Sequence, residues 1–332
     1  MKAVKSKKIK FVTKKFEKVF YNWMANIRDW NISRQIVWGI RIPVWYRGEE
    51  IYVGKEAPKE SGWVQDPDVF DTWFSSGQWP FAALLATSDQ KQGTRDFKEF
   101  YPTQVMETGY DILFFWVARM IMLGLYATGK PPFETIYMHG LVRDKERQKM
   151  SKSKGNVIDP LGVADTYGTD AVRMALVIGN AAGTDPVVSE DKIRGYRNFA
   201  TKIWNASRFV LMNYKASSVK PKYTVEDKKN LKELAAIQKK VTKSLDGYDF
   251  NTAGSTLYHY FWHTFADKII EASKKRLSGA DEGDRLAAQE TLLMILTTSL
   301  VMLHPFMPFV TEAIYQKLPI ENKGMLIVHS WK

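Results

Sequence analysis

Apolar and polar positions follow two different rhythms along the chain. Up to about residue 188 the apolar runs are short and are separated by Gly, Pro and other turn formers. Val44-Trp45-Tyr46, then Arg47-Gly48-Glu49, then Ile51-Tyr52-Val53 reads as a β-hairpin around Gly48. Gln104–Thr108 reads as a strand, Gly109 as a tight turn, Asp111–Ala127 as a helix and Thr135–Val142 as the next strand. Strand, turn, helix and strand make a βαβ unit, the mark of a parallel sheet covered by helices. From about residue 189 the period becomes that of amphipathic helices, predicted over Glu190–Tyr214, Glu226–Leu245, Asn251–Leu277, Glu282–Leu303 and Phe309–Leu318. Lys215–Thr224, with Pro221, reads as a loop, and Pro305 and Pro308 mark another junction. The pattern predicts an α/β part over 1–188 and an all-α helical bundle over 189–332, with no internal repeat.

Composition narrows the partners. The 332 residues carry 48 Lys+Arg against 36 Asp+Glu, a net charge of +12, which favours a polyanion such as nucleic acid or nucleotide phosphate. A 45% hydrophobic share and 13% aromatic residues exclude a disordered chain. With no cysteine, disulfides, thiolate zinc sites and cysteine nucleophiles are excluded, and a reducing, cytoplasmic setting is expected. The apolar stretch Ile112–Ala127 contains Arg119 and is short for a bilayer span, so it reads as a buried helix and no membrane partner is expected. Lys2, Lys5, Lys7, Lys8, Lys10, Lys14, Lys15 and Lys18 crowd the N-terminus without a following apolar run. They read as a solvated lysine-rich strand or arm and not as a secretory signal.

The strongest chemical signal is Lys149-Met150-Ser151-Lys152-Ser153, followed by Lys154-Gly155-Asn156. Three lysines within six residues on a Gly- and Ser-containing loop suit the grip of phosphates, because each lysine is a point charge where negative charge builds on a leaving pyrophosphate. Asp159-Pro160 can cap and start a helix that fixes the end of this loop. Asp111 follows a glycine turn at the carboxyl end of an expected parallel strand, where ligands bind in open α/β sheets. Helix N-capping is an equally good use for it. Gly109 would let a ligand approach the backbone closely.

KMSKS over Lys149–Ser153 is similar to a signature of the class I aminoacyl-tRNA synthetases. Its surroundings at Asn22–Tyr46, Asp66–Phe81, Thr108–Met122 and Met138–Pro160 resemble the valyl branch of that family, in the family's order. Arg197–Leu211, Phe261–Leu277 and His304–Tyr315 resemble its anticodon-binding helical domain. The resemblance implies the C-terminal half of a Rossmann-like class I catalytic core over 1–188 and an anticodon-binding bundle over 189–332. It implies ATP, with Mg2+ accompanying the phosphates, valine and tRNA(Val) as substrates, and no zinc. Lys149 and Lys152 would be the catalytic cations, and Gly109, Asp111, Lys149, Met150, Ser151, Lys152 and Ser153 would contact ATP, with Asp111 on the ribose. Gly109-Tyr110-Asp111-Ile112 matches the valyl version of a segment in which isoleucyl relatives carry Gln after the Asp. Ile112 and Trp116 would line the amino-acid pocket and Trp73 would close it; four residues apart, the first two share one face of an α-helix.

One feature pulls the other way. The second class I signature, H-x-G-H, is absent, since none of His139, His259, His263, His304 and His329 has its partner. The resemblance therefore implies a C-terminal part of such an enzyme, with H-x-G-H and the editing domain on a separate N-terminal half, and a chain that stops before the family's coiled-coil arm. A non-catalytic tRNA-binding derivative and an isoleucyl or leucyl relative are the alternatives. His259 and His263, four apart, have metal-ligand spacing, but Tyr260 stands where the metalloprotease pattern needs Glu. Arg194, Arg197, Lys202 and Arg208 lie along one predicted helix and would either touch RNA phosphate or simply face solvent.

Overall fold

A computed structural model describes residues 1–86, 95–150, 155–321 and 323–331. The chain divides into two compact units, Met1–His139 and Gly140–Lys332.

The first unit is built on a three-stranded parallel sheet in the order Lys10–Phe11, Phe133–His139, Thr103–Gly109. The crossover between its two long strands is the predicted βαβ helix, but it is not one regular helix. It opens as a 3-10 turn at Tyr110–Ile112, widens into a π-helical segment at Leu113–Ala118, and becomes α-helical only over Arg119–Thr128. Ile112 and Trp116 thus belong to different helical forms, so the α-helical spacing expected of them does not hold. Leu113, Val117, Met120 and Ile121 bury one side of the crossover against Phe133, Ile136 and Met138 of the sheet.

Of the expected solvated strand or arm, the lysine-rich N-terminus does hold a strand, but it is not simply solvated. Lys10–Phe11 is a sheet strand, and Lys14–Ala25 is a helix whose Phe16 and Phe20, one turn apart, enter the same core with Ile9 and Phe11. Lys14, Lys15 and Lys18 face solvent. Apolar residues interleaved among the lysines make the segment amphipathic, and burial of that face fixes it. The Val44–Arg47 and Glu50–Val53 strands form the expected antiparallel hairpin, joined by Val64–Gln65 on the other edge.

In the second unit the long helices run over Glu190–Asn213, Val225–Asp246, Phe250–Leu277 with a π-helical stretch at Tyr260–Ile269, Glu282–Leu303 and Pro308–Tyr315. Glu282–Leu303 is the central helix: Leu292, Ile295, Leu296, Leu300 and Leu303 are all essentially solvent-free. Its apolar length reflects burial among the other helices. Side-chain caps set the starts, with Ser189 accepting from the Lys192 N–H, Asp281 from the Asp284 N–H, and Thr224 and Asp227 forming a reciprocal capping box. The short helices Pro160–Tyr167 and Thr169–Val177 belong to this unit. The Asp170 carboxylate accepts from the Phe309 and Val310 N–H groups at 3.1 and 2.7 Å, and Arg173 donates to the Pro305 and Phe306 carbonyls. These bonds tie the Thr169–Val177 helix to the bundle.

Asp227 does more than cap. It is only 3% exposed, and both oxygens accept from the Arg276 guanidinium at 2.7 and 2.8 Å, which also reaches Asp284. Burial pushes the Asp227 carboxyl up, but the Arg276 and Thr224 hydrogen bonds outweigh it and hold it below the usual carboxylate range. Asp227→Ala leaves the half-buried guanidinium with Asp284 as its one carboxylate partner and removes the return half of the capping box, so we expect a loss of about 1.5–3 kcal/mol in denaturant unfolding. Because the folded-state pKa is depressed, this stabilisation is present at neutral pH and fades as pH falls through the folded value, so the gap between parent and variant should narrow in acid.

Candidate active site

The first unit gathers polar groups at the carboxyl ends of its two long parallel strands. Gly109 and His139 are register partners at those ends. A Cβ on Gly109 would lie 2.7 Å from Asp111 Oδ1 and 3.6 Å from the His139 ring, so an added side chain would push the Asp111 carboxylate out of its present place. Asp111 is exposed and folds its carboxylate back over Gly109. It does not cap the helix, since the N-cap position falls on Gly109 and no side chain caps there. The capping alternative is therefore not realised, and the carboxylate is displayed on the rim. His139 Nε2 lies 3.4 Å from Glu107 Oε1 on the neighbouring strand.

Trp73 sits half-buried in the short helix Thr72–Ser76. Buried Asp71 caps that helix by accepting from the Trp73 N–H at 2.7 Å and is ion-paired with Arg34. The Trp73 ring stacks on Phe115 at 6.0 Å, while Trp116 Nε1 donates to the Ser76 carbonyl at 3.0 Å. The two tryptophans are thus organised around one helix, and Ile112 stays half-buried on the turn beside Asp111.

The same unit holds a cavity of about 570 Å³ that sequence reasoning did not single out, lined by Asn22, Trp23, Asn26, Trp30, Phe114 and Arg119 among others. Arg119 is 8% exposed and lies 3.4 Å over the Trp30 ring. Burial lowers its pKa, with nearby Asp71 acting in the opposite sense. Arg119 NH1 and Trp30 Nε1 are buried donors without a protein acceptor among the described residues. They equip this unit for a ligand bearing acceptor oxygens. The available signal was a lone charge inside the apolar run 112–127, which was weighed only against a membrane span.

In the second unit, the lysine signature leaves from a hairpin. Arg143 bridges Lys149, Met150 N–H donates to the Val142 carbonyl at 3.3 Å, and Asp144 accepts from Gln148 N–H at the turn. Lys149 is exposed and Met150 half-buried. Ser151, Lys152, Ser153 and Lys154 lie outside the described residues. Both sides of the loop are pinned. Asp185 accepts from the Leu141 N–H at 2.8 Å and from Arg143 at 2.5 Å, and Asn156 Nδ2 donates to Asp144 at 2.7 Å. A Cβ on Gly140 would fall 2.0 Å from the Thr184 carbonyl oxygen, so the chain can cross there only as glycine. Downstream, Asp159 caps the Pro160–Tyr167 helix by accepting from the Leu161 and Gly162 N–H groups, as its sequence implied. Arg143, Asp144 and Asp185 were not singled out by sequence; the Asp185 bonds to Leu141 and Arg143 join residues more than forty positions apart and leave no local pattern.

On the helix Glu190–Asn213, Arg194 pairs with Asp191 and Lys202 with Asp267 at 2.7 Å, while Arg197 and Arg208 are exposed. The His259 and His263 rings are 5.7 Å apart, and His263 faces Asp267. Among the described residues no three ligand-type side chains cluster as a metal site.

This geometry meets the comparisons with known proteins. Residues 1–62 and 55–188 match the family described as tRNA synthetases class I (I, L, M and V), and residues 227–332 match the anticodon-binding domain of tRNA ligase. The chain belongs to the class I tRNA synthetase family. It is 47% identical over 328 residues to the valine–tRNA ligase of Geobacillus kaustophilus strain HTA426 and 46% identical over 331 residues to that of Bacillus subtilis strain 168, covering 96% and 97% of this chain. It spans 37% of the length of each of these relatives. Among solved structures, Mycobacterium tuberculosis methionyl-tRNA synthetase in complex with methionyl-adenylate matches with a TM-score of 0.74 at 19% identity, over 92% of this chain and 58% of that one. The LeuRS–tRNA–LeuAMS ternary complex from Agrobacterium radiobacter K84 matches at 0.72 and 19%, over 95% and 44%. The fold is that of the class I synthetases, a catalytic portion with a parallel sheet followed by a helical anticodon-binding portion.

Proposed function

We propose that this chain is the C-terminal part of a valine–tRNA ligase, working in the cytoplasm with an N-terminal portion that carries H-x-G-H and the editing domain. Residues 1–188 would supply the catalytic portion and residues 189–332 the part that holds the anticodon region of tRNA(Val). The observation that carries the choice of valine is the 46–47% identity to valine–tRNA ligases across almost the whole chain. In the first step a valine carboxylate oxygen attacks the α-phosphorus of ATP, the bond to the β-phosphate breaks, and pyrophosphate leaves. A ribose hydroxyl at the 3′ end of tRNA then displaces AMP from the valyl carbonyl. Lys152 and Lys149 would stabilise the charge developing on pyrophosphate, with Ser151, Ser153 and the Met150 backbone completing the grip. Mg2+ would travel with the ATP phosphates.

Asp111 would accept from the ribose hydroxyls, with Gly109 leaving room for the nucleotide. Trp73, Ile112 and Trp116 would form the apolar wall around the isopropyl group. The need for an N-terminal portion is supported by two surfaces of the first unit. Thr103–Gly109 is an edge strand of its sheet among the described residues, and the Ile36–Ile40 segment exposes Val37 at 92% and Trp38 at 86%. Open strand edges and contiguous apolar surface of this kind call for a covering partner. With that portion supplied, ATP–pyrophosphate exchange should respond to valine and only weakly to isoleucine, leucine or methionine. Exchange led by one of the other three would assign the pocket to a different branch.

A further inference from the structure

Within the second unit, a cavity of about 630 Å³ opens between the base of the signature hairpin and the first turn of the Glu190–Asn213 helix. Arg143, Arg147, Asp185 and Lys192 line it with Asn180 and Thr184. Its charges do not balance. Asp185 is the one carboxylate in the lining, and its oxygens are taken by Arg143 and the Leu141 N–H. The neutral groups turn their donors away: Asn180 Nδ2 bonds the Leu176 carbonyl at 3.1 Å and Thr184 Oγ1 the Ala181 carbonyl at 2.7 Å.

Two cations remain. Arg147, at a turn residue with φ of 62°, has no carboxylate within ion-pair distance among the described residues, and neither has Lys192. Lys192 is half-buried, and its Nζ makes one long bond, 3.4 Å to the Val187 carbonyl. Burial alone lowers its pKa, as expected for an ammonium withdrawn from water without a counter-ion. A guanidinium fork and an ammonium aimed into one polar cavity match the oxygens of a phosphate group.

We propose that this cavity is a phosphate-binding site, separate from the KMSKS lysines, with Lys192 and Arg147 as its ligands. Two sources offer that chemistry: the backbone of bound RNA and free pyrophosphate. Because Arg143 and Arg147 belong to the hairpin that launches the signature loop, an occupant ties that hairpin to the helical part through its own charge. The proposal stands on the lining of the cavity and is independent of the adenylation reading.

The test uses the full 332-residue chain carrying Lys149→Ala and Lys152→Ala, which removes the signature loop's own grip. Into this background go Lys192→Met, which keeps the stem and deletes the charge, and Arg147→Gln on the exposed turn. The probes are inorganic pyrophosphate by titration calorimetry and a tRNA transcript by fluorescence anisotropy. Each variant should weaken binding of at least one probe by about 10-fold or more, the scale for losing a charged hydrogen-bond partner, without lowering the melting temperature. Loss confined to pyrophosphate assigns the site to free polyphosphate, and loss confined to RNA, with a shallower salt dependence, assigns it to the backbone. A background chain that binds neither probe, or folded variants that bind both as well as it does, would overturn the proposal. If Lys192→Met fails to fold, Arg147→Gln decides. None of these readouts involves valine or exchange, so failure here leaves the ligase reading standing.

Discussion

If the chain works with an N-terminal portion as the proposed valine–tRNA ligase, Lys152→Ala in that assembly is expected to slow adenylate formation by about 10²–10³ while leaving valine affinity nearly unchanged. The proposed reaction would give the protein little covalent work. Charge moves onto the departing pyrophosphate, and a cation fixed where that charge develops acts on the transition state more than on the ground state. On either side of the signature the described chain is anchored, with Asp185 holding Arg143 and Asn156 bonded to Asp144. A displacement of about 1 Å at such a group can cost about 100-fold, so Asn156→Ala should reproduce part of the defect without touching a lysine. Single-turnover kinetics separates the roles. A normal adenylation rate with weakened valine binding would move Lys152 out of the pyrophosphate role.

Much of the architecture was legible because it rests on local pattern. The βαβ unit announced itself through Gly109 between a short apolar run and a longer one, and the bundle helices through their apolar period; the caps at Ser189, Thr224 and Asp281 emerge only from the structure. The N-terminal lysines misled in a physically instructive way. Charge count suggested a solvated arm, whereas Ile9, Phe11, Phe16 and Phe20 supply a buried face that counting charges cannot see. The π-helical segment Leu113–Ala118 was invisible because a period read from apolar positions does not distinguish 3.6 residues per turn from a locally wider helix. The position of Gly109 and Asp111 at the carboxyl end of a parallel strand was legible from the turn that follows the run Gln104–Thr108. Arg119 over Trp30, and Asp185 beneath the hairpin, depend on partners 89 and 42 residues away, counting 119 − 30 and 185 − 143. Contacts of that range follow from the fold and leave no local trace.

The most direct test is valine-dependent ATP–pyrophosphate exchange, measured on the 332-residue chain alone and again with an N-terminal portion carrying H-x-G-H and the editing domain. The sequence contains the lysine signature but no H-x-G-H, and it spans 37% of the valine–tRNA ligases it resembles. Removing groups that stabilise developing phosphate charge costs about 10²–10³ for one donor, and this sequence contains no H-x-G-H motif at all. Exchange by the chain alone should therefore be indistinguishable from background. Addition of the N-terminal portion should restore it, and Lys152→Ala should abolish most of the restored rate. Robust exchange by the chain alone, or no exchange from a complex shown to have assembled, would contradict the account.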